Sequence, residues 1–96
     1  MSILRTAQAG TLESSDIMIT VSYGPPSNGI KIELESIVMA QYGEDIRRVI
    51  TETVHERGLA DLYVKAVDRG ALDCTIRARM LTVLARAVAK PQEAGS

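Results

Sequence analysis

The chain has no tryptophan and no phenylalanine, and only three tyrosines. Its interior must therefore be built from Ile, Val, Leu, Ala and Met, and nucleic-acid bases would find little aromatic surface to stack on. A surplus of one charge is missing as well. Eleven Lys and Arg stand against twelve Asp and Glu, a net charge of −1, so no phosphate-neutralising basic face is expected. The single cysteine, Cys74, excludes an internal disulfide. With only one histidine, His55, there is no paired Cys or His spacing for a metal centre. No apolar run approaches the length that spans a bilayer, and no signal-peptide pattern opens the sequence. Neither a glycine-rich phosphate loop nor a G-x-S-x-G elbow is present. A cytoplasmic protein without nucleic-acid or membrane partners is the expectation.

What is there fits one small domain over residues 1–96, with 1–6 and 91–96 expected to be flexible. Ile17, Ile19, Val21 and Tyr23 alternate with Met18, Thr20 and Ser22, the period of a half-buried strand. Gly24-Pro25-Pro26-Ser27-Asn28-Gly29 breaks it as a loop. Ile30, Ile32 and Leu34 alternate with Lys31, Glu33 and Glu35 as a second strand, expected to pair antiparallel with the first. Residues 36–43 fit either state. From Glu44 the period becomes helical through Ile46, Val49, Ile50 and Val54, with Glu44 and Asp45 assigned to the first turn and Gly58 to a left-handed cap. Leu59 to Val67 reads as a third strand closed by Asp68-Arg69-Gly70. Leu72, Ile76, Met80, Val83, Leu84 and Ala87 then form the stripe of a second helix, stopped near Pro91. The expected fold is a two-layer α+β domain of order β-β-α-β-α. It has a small, mainly antiparallel sheet with both helices on one face, and room for an extra short strand around residues 8–13.

The candidate chemistry is sparse. Gly10-Thr11-Leu12-Glu13-Ser14-Ser15-Asp16 places two hydroxyls between carboxylates just before the first strand. That is either a solvated turn or a hydroxyl presented for covalent modification. His55 reads as a surface or boundary residue and Cys74 as a half-buried filler. A hydrolase triad of Ser14, His55 and a carboxylate has no supporting motif. Arg79 and Arg86 lie seven apart with Thr75 and Thr82 on their stripe, and Asp73 is spaced to pair with Arg77. Such a stripe is either a solvated face or a guanidinium ledge for phosphates or an acidic partner.

Three blocks carry more than composition does. They are Ala9-Gly10-Thr11-Leu12-Glu13-Ser14-Ser15-Asp16, Gln41-Tyr42-Gly43-Glu44-Asp45-Ile46-Arg47 and the run from Asp68-Arg69-Gly70 through Arg77-Ala78-Arg79. In this order and spacing, over roughly residues 7–87, the chain resembles the acyl carrier protein of citrate lyase, the gamma subunit. The resemblance implies a non-catalytic carrier whose Ser14 holds phosphoribosyl-dephospho-coenzyme A through a phosphodiester. It implies that the arm's thiol carries the acetyl and citryl thioesters while citrate is cleaved to acetate and oxaloacetate. The implied partners are the alpha and beta subunits and a prosthetic-group transferase. Met39-Ala40 departs from the family pattern. Citramalate lyase uses a very similar carrier, the delta subunit of malonate decarboxylase is a more distant relative, and an unmodified α+β interaction module is the competing reading.

Overall fold

Ile17, Ile19 and Val21 share one side of an extended segment, and in the computed structural model that segment is a strand with all three side chains fully buried. The structure describes residues 5–24, 27 and 29–88. The prolines of the 24–29 loop, the terminal residues 1–4 and the tail from 89, with the stop expected near Pro91, lie outside the described residues. The elements are β1 (Ala7–Gly10), β2 (Ile17–Tyr23), β3 (Ile30–Ser36), α1 (Met39–Glu56), β4 (Leu62–Asp68) and α2 (Asp73–Val88). The short extra strand is thus present, as β1.

The four strands lie in the order β1-β2-β4-β3. β1 and β2 form an antiparallel hairpin, β2 runs antiparallel to β4, and β3 lies parallel to β4. The register stacks Ile19 beside Ala66 and Val21 beside Val64, with Ile32 on the far side of Val64. All inward side chains therefore share one face. Both helices cover that face through Ile46, Val49, Ile50, Ile76, Met80 and Leu84, all of them buried. On the opposite face Lys31, Glu33 and Lys65 stand in solvent. The α+β class and the one-sided packing are as expected from the pattern.

One pairing differs. The strands 17–23 and 30–36 were expected to be neighbours, and instead β4 is inserted between them. The described ends of the connection, Gly24 and Gly29, both lie against the residues at the start of β4. A Cβ on Gly24 would stand 2.6 Å from the Leu62 nitrogen, and the Gly29 N–H donates to Asp61 Oδ1 at 3.0 Å. Bridging across an intervening strand means covering about 10 Å, two strand spacings, which a tight turn cannot do. β3, α1 and β4 then form a β-α-β crossover, the long connection that parallel neighbours require.

Helix α1 also starts earlier than its hydrophobic period. It begins at Met39 and runs through Gly43, so Glu44 and Asp45 lie beyond the first turn, which contains no acidic residue. The glycine misleads the boundary because a mid-helix glycine is unfavourable by about 1 kcal/mol and usually marks an end. The cap at the other end is as read. Gly58 has φ +72, its N–H donates to the His55 carbonyl at 3.0 Å, and the Leu59 N–H reaches the Val54 carbonyl at 3.2 Å. Leu72 stands outside the expected stripe. It precedes α2 and is 70% exposed.

Candidate functional site

The 11–16 loop joins β1 to β2, and its shape follows from a few hydrogen bonds. Gly10 enters it at φ +93, with no room for a side chain, since a Cβ there would fall 1.8 Å from the Ile17 carbonyl oxygen. The Glu13 N–H donates to Thr11 Oγ1 at 3.2 Å, and the Asp16 N–H closes a β-turn onto the Glu13 carbonyl at 3.2 Å. Ser14 and Ser15 are the two central residues of that turn. Ser15 has φ +64, a left-handed conformation unusual outside glycine and asparagine. Its N–H donates to the Arg69 carbonyl at 2.8 Å, while the Arg69 N–H donates to the Asp16 carbonyl at 2.9 Å. Two residues thus oppose one, the pattern of a bulge with Ser15 where glycine commonly sits. Ser15→Gly is accordingly expected to raise stability by about 1 kcal/mol, read as a higher urea midpoint. A lower midpoint would show that the Ser15 side chain itself holds the turn.

Asp16 fastens the loop to the helical layer. Arg79 donates to both of its oxygens, Nε to Oδ1 at 3.1 Å and Nη2 to Oδ2 at 3.0 Å. The Thr11 hydroxyl donates to Oδ2 at 2.6 Å and the Ile17 N–H to Oδ1 at 2.7 Å. These partners, Arg79 foremost and then Thr11, hold the carboxyl down at about 2. Ser14, by contrast, is exposed, and its hydroxyl makes no hydrogen bond among the described residues. A reachable hydroxyl therefore sits on a turn that is pinned on both sides.

A second buried carboxylate shapes the neighbouring loop. Asp68, 1% exposed, accepts from the Ser36 hydroxyl at 2.8 Å and from the N–H groups of Gly70 and Ala71 at 3.1 and 3.0 Å. Beside it a hollow of about 360 Å³ is walled by Val38, Tyr42, Ile46 and Leu72, with Asp45 and Asp73 at its edge. It lies at the Ser14 end of the sheet, next to the exposed side chain of Ile37.

The other candidates are scattered. His55 is exposed in the last turn of α1, at the end of the sheet away from Ser14, so no triad with Ser14 forms. Cys74 is exposed, not half-buried, because it lies off the Ile76-Met80-Val83 stripe. Asp73 and Arg77 do not pair. Arg77 instead holds the Glu56 carboxylate in a two-pronged contact from α2 to α1, lowering the Glu56 pKa, while Asp73 lies 3.9 Å from Arg48. Of the two readings of the α2 stripe, the guanidinium ledge meets arginines that already hold groups of the fold. Arg79 is held by Asp16, and Arg86 donates to the Gln8 carbonyl at 2.8 Å. The clasp between Asp16 and Arg79 joins residues 63 apart, a separation that local pattern does not read. Among the described residues no group of three or more metal-ligating side chains occurs, and no helix is long and apolar enough to cross a membrane.

A small two-layer domain with two exposed serines on a braced turn offers a hydroxyl for modification, and comparison with known proteins points to a carrier. The family model described as malonate decarboxylase delta subunit (MdcD) matches residues 4–87. The citrate lyase acyl carrier protein of Lactobacillus helveticus is 59% identical over 87 residues, covering 91% of this chain and 88% of that protein. Those of Halothermothrix orenii and Streptococcus uberis are 54% and 53% identical, covering 91% and 96% of this chain and 90% and 89% of theirs. A chain in the crystal structure of a Pseudomonas malonate decarboxylase hetero-tetramer in complex with malonate superposes with a TM-score of 0.63 at 18% identity, over 86% of this chain and 84% of that one. It shares the fold. The chain belongs to the citrate lyase acyl carrier protein family.

Proposed function

We propose that this chain is the cytoplasmic acyl carrier subunit of citrate lyase, with phosphoribosyl-dephospho-coenzyme A joined to the Ser14 hydroxyl through a phosphodiester. The observation that carries the reading is the loop itself. A braced turn presents two exposed, unengaged serine hydroxyls, Ser14 and Ser15, beside a carboxylate held by Arg79, Thr11 and the Ile17 N–H. The family resemblance selects Ser14 of the two. The site fits the group. Nothing among the described residues covers Ser14, and Asp16 cannot compete with it as a free nucleophile, since its oxygens already accept four hydrogen bonds.

When bound, the group supplies the thiol on which acyl chains are carried. The protein's own part is to hold the tether point still and to present it to the alpha and beta subunits and to the transferase that loads it. Ser14 is an anchor and takes no part in turnover. Cys74 is dispensable in this scheme because the working thiol belongs to the arm. The competing reading, a guanidinium ledge for an acidic partner, loses support because Arg77, Arg79 and Arg86 are all engaged within the fold.

Intact mass spectrometry after co-expression with the transferase and the enzymes that make its substrate tests this directly. One adduct of the mass of the prosthetic group is expected on the wild-type chain and none on Ser14→Ala, with both proteins melting alike. An adduct retained by Ser14→Ala, or a bare wild-type mass, removes the reading. Activity with citrate against citramalate in the assembled enzyme then identifies the lyase.

A further inference from the structure

If Ser14 carries a phosphodiester, a free cation at that end of the molecule is placed to meet its charge, and the arginines of the α2 stripe already hold other groups. The chain has eight arginines. Arg5 donates to the Arg86 carbonyl and Arg47 to the Ile32 carbonyl. Arg48 lies among Asp45, Glu52 and Asp73, and Arg77, Arg79 and Arg86 are engaged as described above. Two remain without a side-chain hydrogen bond or ion pair among the described residues, Arg57 and Arg69. Arg57 caps α1 at the far end of the sheet. Arg69 is the residue opposite the Ser15–Asp16 bulge, fixed there by its own N–H and carbonyl at 2.9 and 2.8 Å.

We propose that the Arg69 guanidinium is the phosphate-recognition group of the Ser14 loop, contacting the phosphodiester both as it forms and in the loaded carrier. The assignment rests on the attachment reading above. Strand alternation supports it. Asp68 is buried beneath the sheet, so the next residue projects to the open side, and Arg69 is exposed. Its backbone is locked to the turn that presents Ser14, so the side chain starts one residue across from the tether. The exposed carboxylates of Glu13, in the same loop, and Glu35, near the end of β3, form no ion pair with Arg69 among the described residues. A new phosphate beside Glu13 adds like charge, which a planar two-pronged donor offsets better than a distant ammonium. Lys65, on the same open face, is four residues back along β4, roughly 13 Å farther from the turn.

The test compares wild type, Arg69→Gln, Arg69→Lys and Arg57→Gln, each co-expressed with the loading enzymes. Intact mass follows the loading rate, and phosphorus NMR follows the serine diester in the loaded protein. Arg69→Gln is expected to load about ten-fold more slowly and to shift the diester resonance, with Arg69→Lys intermediate and Arg57→Gln like wild type. Should Arg69→Gln stay folded by circular dichroism yet load too little to observe, that loss supports the assignment. An unmoved resonance in loaded Arg69→Gln overturns it, whatever the loading rate. A wild-type chain that never acquires the adduct removes the attachment reading and this inference together, whereas normal loading of all three variants with the wild-type resonance refutes Arg69 alone.

Discussion

Replacing Arg79 by alanine is expected to destabilise the protein by about 2–3 kcal/mol at neutral pH and to loosen the Ser14 loop. The effect is large because of what is left behind. Asp16 has a side chain only 13% exposed, and without Arg79 it is a nearly buried carboxylate with one hydroxyl and one N–H to hold it. Arg79 is 41% exposed, so solvent screening keeps the loss below that of a fully buried pair. The pH dependence separates this mechanism from simple loss of packing. The folded-state pKa of Asp16 is lowered from 3.8 to about 2, so the stability it contributes is complete above 3.8 and fades as pH falls toward 2. Near pH 3 about half of it is gone. Urea midpoints for wild type and Arg79→Ala should therefore converge between pH 6 and pH 3. Adding Asp16→Asn to Arg79→Ala should recover part of the loss at neutral pH. Parallel pH profiles for the two proteins would mean that the ion pair is not the source.

Gly10→Ala is expected to lose about 3 kcal/mol or more, or to leave the β1–β2 hairpin unformed. Two penalties coincide there. The backbone sits at φ +93, and the added Cβ would lie 1.8 Å from the Ile17 carbonyl oxygen, so strand pairing itself has to open. Gly58→Ala provides the comparison. It has φ +72 with nothing within 4 Å of the added carbon, so it should lose about 1 kcal/mol from backbone strain alone. Thermal and urea unfolding of both variants measure the difference. Equal losses would mean that the close approach at Ile17 relaxes without consequence.

Much of the fold is legible in the chain because burial on one side leaves a period. Ile17-Ile19-Val21, Ile30-Ile32-Leu34 and Ile76-Met80-Val83 each announce their element and their inward face. What periodicity does not carry is adjacency. Two strands joined by a loop read as a hairpin, and only the length of the 24–29 segment hints that another strand lies between them. The boundary at Met39 is obscured for a related reason: Gly43 looks like an end, but here it is a buried position inside α1. At the candidate site, resemblance singled out Ser14, while the residues that brace it were silent. Asp16 reads locally as a turn acid. The Arg69 N–H is brought to its carbonyl by the register of β2 against β4, and Arg79 to its side chain by the packing of α2 on the sheet.

That register has a consequence for how the molecule comes into being. β4, which borders both β2 and β3, is supplied by residues 62–68, late in the chain. While the protein emerges from the ribosome, β2 and β3 each present an unpaired edge for which the proper neighbour has not yet been made. The exposed polar face of Lys31, Glu33 and Glu35 keeps one of those waiting edges soluble. The turn bearing Ser14 takes its final form only when Arg69 and Arg79 arrive behind that strand, so the shape of this early loop is set by residues that are made more than fifty positions later.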